Sequence, residues 1–415
     1  MSSRLLIVGA SVRALAESAC RAGLEPIAID QFADADLHDV ASDVSRYNSL
    51  DELPELFARY PGIPWMYTGG LENAPQIVRQ LGGTHTCFGN TADTLERVRD
   101  PFWLAELLAS TGLPALQVAR PGETNTDPNV EWLTKPLRSG GGIGIQLTRA
   151  AFAATTGRPA ADPTSDCYLQ EFRHGKACSA LFRADQGGMT HLVGTATLLT
   201  ATHDPDHPFL FGGAVTPCEL PDTLQSTMLQ IGQLVGKTAG LRGLFGCDFI
   251  TDRNEIWLTE VNPRYTASVE LYERARRINL VADHVGCFVG GTLNRDAQQM
   301  SGHKQHPREQ RPVNQTQSSV PPRVVGKRVV YAPCDLVCDG NFSNALPGGL
   351  TRDRWWAESG TRLADRPRSG SRIPAGGPVC SILVTAATHD ECMAGLGVAE
   401  RQVQLWCHAQ SGESH

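Results

Sequence analysis

Residues 246–262 read GCDFITDRNEIWLTEVN, two short apolar runs flanking the turn-like TDRNE. Runs of this length, rich in β-branched and aromatic residues, predict a hairpin. The simplest antiparallel pairing is centred on Asn254. It sets Asp248 directly opposite Glu260, with Asn262 on the same face two residues on. Two ionised carboxylates roughly 5 Å apart repel by about 3 kcal/mol at an effective dielectric of 20. Asp, Glu and Asn oxygens are hard ligands, so a divalent cation reverses that sign, most often where substrate phosphates complete its shell. The residues alone leave open a solvated hairpin face whose acids never meet.

The chain has 415 residues, too many for one ordinary core. Hydrophobic residues make up 41% and charged residues 20%, the balance of a soluble globular protein. A formal charge of -7 excludes a general affinity for nucleic acid or an anionic membrane, so any phosphate site must be local. The first apolar run, Leu5 to Val8, is too short for a signal-peptide core, and no run reaches the roughly 18 to 20 apolar residues of a membrane span. A cytoplasmic location is expected. The 12 cysteines include no CxxC pair, which predicts buried reduced thiols. A zinc site from Cys334, Cys338, Cys380 and Cys407 is the less favoured alternative, because the spacing is unusual.

RLLIVGAS at 4–11, ALAESACRAGL at 14–24 and PIAID at 26–30 predict a β-α-β opening of a parallel sheet. Asp30 follows the first turn at about the distance of a dinucleotide-binding acid. The turn nevertheless offers Gly9, Ser11 and Ala14 where G-x-G-x-x-G is required, which argues against such a site. From Asp100 the helix PFWLAELLAST opens a second region, and 115–295 alternates strands and helices. Residues 296–322 are polar and proline-bearing, a linker or loop. The tail resumes with KRVVYAP and VCSILVTAA and ends on VQLWCH, read as a strand.

Two further segments carry chemistry. LTKPLRSGGGIGIQL at 133–147 holds Lys135 extended before a proline, then a glycine run free to approach an anion or to act as a flap. CYLQEFRHGKACSALF at 167–182 is a strand, a polar break and a second strand, whose edge could read an adenine. A plain glycine turn and a plain hairpin are the alternatives. His203-Asp-Pro-Asp-His207 reads as a surface loop rather than a metal site, or as a lid bordering the active site.

The order of these segments, Lys-Pro strand, glycine flap, Q-E-F-x-x-G, then G-x-D-F-I and E-V-N-P-R, resembles the ATP-grasp superfamily. A narrower resemblance covers nearly the whole chain. GASVRALAESA, AIDQFADADL, YTGGLEN, VRDP and NPRYTASVELYE are similar to a group of predicted ATP-dependent carboligases related to biotin carboxylase. LADRPRSGSRIPAGGPVCSILVTA is similar to the C-terminal β module of carboxylase-type members. The resemblance implies an α/β and α+β multidomain protein. Its parts are a Rossmann-like pre-ATP-grasp domain (1–98), an ATP-grasp domain of two α+β subdomains (99–295), the polar segment 296–322 and a small C-terminal β module (323–415).

It also implies roles residue by residue. Lys135 would contact the α/β-phosphates and Ser139, Gly140, Gly141 and Gly142 would close over them. Gln170, Glu171 and Phe172 would form the adenine hinge. Asp248, Glu260 and Asn262 would hold Mg²⁺, with Mn²⁺ as a substitute, and Arg264 would face the transferred phosphate. Many members carry an Asp-Lys pair where this chain has Asp100-Pro101, which leaves Arg99 as the nearest cation; in the narrower group Pro101 is normal. An acidic residue common after the hinge is replaced by Ala177, so the ribose contact is in doubt.

Glu72 and Asn73, after a parallel strand, are candidates for the non-nucleotide substrate, against a helix cap and turn. Tyr265, Ser268 and Glu270 are candidates for an acceptor pocket, or simply a helix start. The expected activity is an ATP- and Mg²⁺-dependent ligase that activates a carboxylate as an acyl phosphate and joins it to an amine or another nucleophile. The resemblance extends to cofactor biosynthesis as a setting and is compatible with a homodimer. A carboxylase-like enzyme that phosphorylates bicarbonate and a non-catalytic ATP sensor are the alternatives; a dehydrogenase ranks below both.

Overall fold

The computed structural model describes residues 3–123, 130–148, 166–201, 207–289, 323–338, 342 and 359–410. The segment 296–322 and most of the His203–His207 loop lie outside them. β1 (Arg4–Gly9) and β2 (Glu25–Asp30) are parallel, with the helix Arg13–Arg21 between them. β3 (Asp43–Arg46) and β4 (Trp65–Tyr67) complete a parallel sheet in the order β3-β2-β1-β4. Leu6, Ile7, Val8, Ile27 and Ile29 are fully buried, as a parallel sheet covered on both faces requires. Asp30 accepts hydrogen bonds from the amides of Val12 at 2.7 Å, Phe32 at 2.7 Å and Ala33 at 2.6 Å. Its carboxylate builds the turn and is not free to bind a ribose.

The helix Pro101–Ser110 starts where Asp100 accepts from the amides of Phe102 and Trp103, with proline at its first position. A four-stranded antiparallel sheet follows, β5 (Val118–Ala119), β8 (Cys167–Glu171), β6 (Trp132–Pro136) and β7 (Gln146–Thr148), in that spatial order. β9 (Lys176–Ala184), β10 (Thr190–Thr200), β11 (Phe211–Thr216), β12 (Gly243–Thr251) and β13 (Ile256–Asn262) belong to a larger sheet. From the C-terminal part, β14 (Val324–Tyr331), β16 (Gly360–Ala364) and β18 (Pro378–Ala386) extend it. The order is β13-β12-β9-β10-β11-β14-β18-β16. The β11–β14 pairing makes the sheet continuous across the polar segment. β15 (Leu336–Val337) and β17 (Arg372–Ile373) form a separate small ribbon.

VQLWCH is not a strand. It lies in a 22-residue helix, His389–Gln410, whose buried residues Cys392, Leu396, Ala399, Val403 and Cys407 follow helical spacing. Thr388 and Glu391 form its capping box: the Thr388 hydroxyl accepts from the Glu391 amide at 3.2 Å, and Glu391 accepts from the Thr388 amide at 3.3 Å. Six residues of alternation were outweighed by an apolar period running over about four turns.

All 12 cysteines are free thiols. Among the described residues no group of three or more His, Cys, Asp or Glu side chains comes together as a metal cage, which sets aside the four-cysteine zinc reading. No helix among them is long and apolar enough to cross a membrane.

Candidate active site

In the β12–β13 hairpin Asp248 lies opposite Glu260 and Gly246 opposite Asn262. Beyond Asp248 the register slips by one, so Phe249 faces Leu258 and Thr251 faces Ile256. Thr259 is therefore the extra residue of a β-bulge. Its hydroxyl donates to the Asp248 carbonyl at 3.0 Å, and its own carbonyl accepts from Lys135 Nζ at 3.4 Å and Gln170 Nε2 at 3.2 Å. Sequence reasoning missed Thr259. The signal was present in Asp252, whose Oδ1 accepts from the amides of Asn254 at 2.8 Å and Glu255 at 2.9 Å. An Asx turn of four residues sets Asp248 opposite Thr259 unless one residue bulges.

Asn262 Nδ2 donates to Asp248 Oδ2 at 2.9 Å and to Glu260 Oε1 at 3.1 Å, which fixes the two acids as a pair. Burial pushes the Asp248 carboxyl well above its usual range, and the adjacent Glu260 pushes it further. Burial acts on Glu260 in the same direction, but Arg99 and Lys135 outweigh it and hold Glu260 down at about 2. Two acids and an amide carbonyl suit a divalent cation whose other ligands come from phosphates.

Three cations surround this pair. Lys135, 7% exposed, donates to Gln170 Oε1 at 3.0 Å. Arg99 lies 3.5 Å from Glu260 Oε2 and donates to Asn73 Oδ1 at 3.0 Å and to the Ser139 carbonyl. Arg264 Nε donates to Glu72 Oε1 at 2.7 Å, and its Nη2 reaches Asn262 Oδ1 at 3.4 Å. Glu72 is 2% exposed and also accepts from the Gly70 amide at 2.6 Å. Glu72 and Asn73 thus hold Arg264 and Arg99 in place.

The glycine flap is docked over this cluster. Ser139 Oγ donates to the Ile143 carbonyl at 2.6 Å, and the Phe211 amide donates to the Gly141 carbonyl at 2.8 Å. At Gly142, with φ +80°, an added Cβ would lie 1.8 Å from the Phe209 carbonyl oxygen. Only glycine permits that approach.

A narrow cleft is lined by Arg99, Lys135, Ser139, Gly140, Gln170 and Leu258. Glu171 and Phe172 do not reach it. Glu171 accepts from the Gln117 amide at 3.0 Å and pairs with Arg173 at 2.6 Å. The amides of Glu171 and Phe172 are engaged by the carbonyls of Gln117 and Glu131, each at 2.8 Å. A second cavity, of about 360 Å³, begins at Asp248, Glu260, Asn262 and Arg264 and runs to the N-terminal sheet and the C-terminal strands. Tyr265 and Ser268 line it. Glu270 does not. It is fully buried, accepts from Arg13 at 2.9 and 3.1 Å and from Lys327 at 2.7 Å, and belongs to an ion cluster beneath the cavity.

The protein-family model for the ATP-grasp domain matches residues 107–268, the stretch that holds the flap, the hinge strand and the acid hairpin. The chain carries an ATP-grasp domain. ATP and Mg²⁺ are the cofactors such domains use. A search of curated proteins found no match. Among solved structures, the fold is similar to the biotin carboxylase domain of 2-oxoglutarate carboxylase from Hydrogenobacter thermophilus, solved with MgADP and bicarbonate. The TM-score is 0.68 at 14% identity, covering 95% of this chain and 88% of that one. N5-carboxyaminoimidazole ribonucleotide synthetase from Thermotoga maritima matches with a TM-score of 0.63 at 14% identity, over 97% and 98% of the two chains. L-amino acid ligase from Bacillus licheniformis matches with 0.64 at 14% identity, over 96% and 97%. These likenesses establish the fold. It is mixed α/β, with a parallel N-terminal sheet, an ATP-grasp domain and a sheet-rich C-terminal part.

Proposed function

We propose that the protein is an ATP- and Mg²⁺-dependent ligase that activates a carboxylate as an acyl phosphate and passes the acyl group to an amine. The observation that carries this reading is the Asp248–Glu260 pair, clamped by Asn262 and ringed by Lys135, Arg99 and Arg264. A divalent cation held by Asp248, Glu260 and Asn262 would supply the charge neutralisation that triphosphate chemistry needs.

Lys135 and Arg99 line the cleft under the flap and suit the nucleotide phosphates. Ser139 to Gly142 would close over them, and the strand carrying Gln170, Glu171 and Phe172 would flank the adenine. Gln170 orients Lys135; Glu171 and Phe172 lie outside the cleft with their amides engaged, and would border the adenine only at its outer edge. Arg264, held by Glu72 at the mouth of the larger cavity, would receive the carboxylate and stabilise the acyl phosphate as charge develops on it. The acceptor amine then attacks the acyl carbon, an amide bond forms, and phosphate leaves.

The resemblance to biotin carboxylase keeps bicarbonate as the rival acid. A cavity of about 360 Å³ with mixed polar and apolar walls has room for an organic substrate in either case. The test is an ADP-release screen with Mg-ATP over carboxylic acids, bicarbonate included, crossed with amines. Turnover should require both substrates and vanish in E260Q and N262A. ATP binding without turnover across the panel, unchanged by those substitutions, would instead identify a nucleotide sensor.

A further inference from the structure

The larger cavity has a second end, away from the metal acids, where Phe32, Asp34, Lys327, Tyr331, Asp365 and Val379 line it. Among the charged groups along its walls, Asp248 is held by the Asn262 amide alone and all the others but one are ion-paired. Glu260 faces Arg99, Arg264 is bound by Glu72, and Lys327 sits 2.7 Å from Glu270 and 3.6 Å from Asp365. Asp365 in turn accepts from Arg13 Nε at 2.9 Å. The Asp34 side chain makes no hydrogen bond or ion pair among the described residues, although it stands at the start of a helical turn where it could have capped.

Beside Asp34 is Phe32, an aromatic ring left 39% exposed. The loop that carries both is built to hold them. Asp30 binds the amides of Phe32 and Ala33, Ala33 takes a left-handed φ of 55°, and the Ala35 amide donates to the Arg366 carbonyl at 2.7 Å. A strained, doubly fastened loop presenting a lone carboxylate and a bare phenyl ring to one cavity is a recognition surface.

We infer that this end of the cavity anchors the acceptor substrate by an organic ammonium group separate from the free amine that attacks near Arg264, with that charge on Asp34 and an adjoining apolar part against Phe32. The inference rests on the ligase reading and narrows its acceptor to a molecule that carries an anchoring ammonium group, apart from its reacting amine, on an apolar or aromatic body. A cation also answers the electrostatics of the wall. Burial, with Asp365, Asp30 and Asp36 adding to it and Arg13 opposing, pushes Asp34 up to about 9, and a bound ammonium reverses that push. The volume accommodates a molecule of modest size together with the carboxylate at Arg264.

The test is a ligand-observed NMR titration of the full chain with saturating Mg-ADP, using benzylamine, benzyl alcohol and phenylacetate as probes. Benzylamine should bind roughly ten-fold more tightly than the alcohol, the increment of one charge-assisted hydrogen bond, and phenylacetate should bind weakest. D34N should erase the amine's advantage while leaving the alcohol's affinity in place, D34E should keep it, and F32A should weaken both probes together. Equal affinity for amine and alcohol, tighter phenylacetate, no probe binding at all, or an amine preference that survives D34N overturns the inference. Mg-ADP binding in the same samples separates the two levels. If the nucleotide binds and the amine preference is missing, only this inference fails; if the nucleotide does not bind, the ligase reading fails with it.

Discussion

Glu270→Gln tests whether the buried ion cluster is structural or part of an acceptor pocket. Glu270 is fully buried and its carboxylate accepts two hydrogen bonds from Arg13 and one from Lys327. Burial drives its pKa upward, but Arg13 and Lys327 outweigh that and hold it at about 2 rather than the usual 4.5. At about 1.4 kcal/mol per unit, the difference amounts to about 3 kcal/mol of stability. Removing one partner of a buried ion pair costs about 3 to 5 kcal/mol by an independent route, and the retained amide oxygen of Gln argues for the lower end.

Spread over an unfolding entropy of about 2.1 cal/mol/K per residue for a chain of this length, the loss is about 3 to 4 °C in Tm. Because the native pKa is depressed, the stabilisation is complete above the unfolded value of 4.5 and disappears as pH falls toward about 2. Thermal melts of the two proteins should therefore differ at pH 7 and converge as the pH approaches 2. Mg-ADP affinity below the melting range should match. An E270Q chain that melts with the wild type at pH 7, or a gap that persists undiminished in acid, would refute the reasoning. So would an unchanged Tm paired with a raised KM for one substrate.

Glu72→Gln should free Arg264, so ADP release should fall roughly ten-fold or more while the Mg-ATP dissociation constant stays within about two-fold, a loss confined to the transition state. Gly142→Ala puts a Cβ 1.8 Å from the Phe209 carbonyl oxygen at a left-handed φ, so the flap should undock. Nucleotide affinity should drop and limited proteolysis should open the 137–148 segment, with Tm nearly unchanged. His284 accepts from the Leu244 amide through Nδ1 at 2.8 Å and donates through Nε2 to the Phe88 carbonyl at 2.8 Å, and burial holds its pKa down at about 4. Its unfolded form protonates first, so wild-type stability should fall as pH drops from about 6.5 to about 4 and level off below. Melts of His284→Gln across that range should show a shallower slope.

Local chemistry was the legible part of the chain. The acid hairpin could be read because strand alternation has a period of two and Asp248, Glu260 and Asn262 are close in sequence. The pairing proposed for them was right at the acids for an incomplete reason. A hairpin centred on Asn254 needs no bulge, whereas the Asx turn at Asp252 shifts the centre and the Thr259 bulge restores it. That bulge also turns the Thr259 carbonyl toward Lys135 and Gln170, joining the metal hairpin to the phosphate cleft. The last helix was misread because six residues of VQLWCH alternate, while its capping box and four-turn apolar stripe lie further upstream.

Pairs brought together by the fold left no such trace. Glu72 and Arg264 are 192 positions apart, and Arg13 and Asp365 are 352 apart. Each residue is unremarkable in its own segment, and no spacing rule links a carboxylate after one parallel strand to a guanidinium after an antiparallel one. Their placement follows from the continuous sheet. Pairing of β11 with β14 brings Lys327 over Glu270, and β16, two strands further along the sheet, brings Asp365 to Arg13 at the N-terminal helix. Arg13 thereby touches carboxylates from α-helical, strand-end and loop segments at once: Glu17 at 3.4 Å, Asp36 at 3.8 Å, Glu270 and Asp365 both at 2.9 Å. The larger cavity lies directly above this cluster, with Lys327 and Asp365 in its wall. Its shape thus depends on charges contributed by both ends of the chain, and a substitution at either end should reach the acceptor end of the cavity without touching the nucleotide cleft.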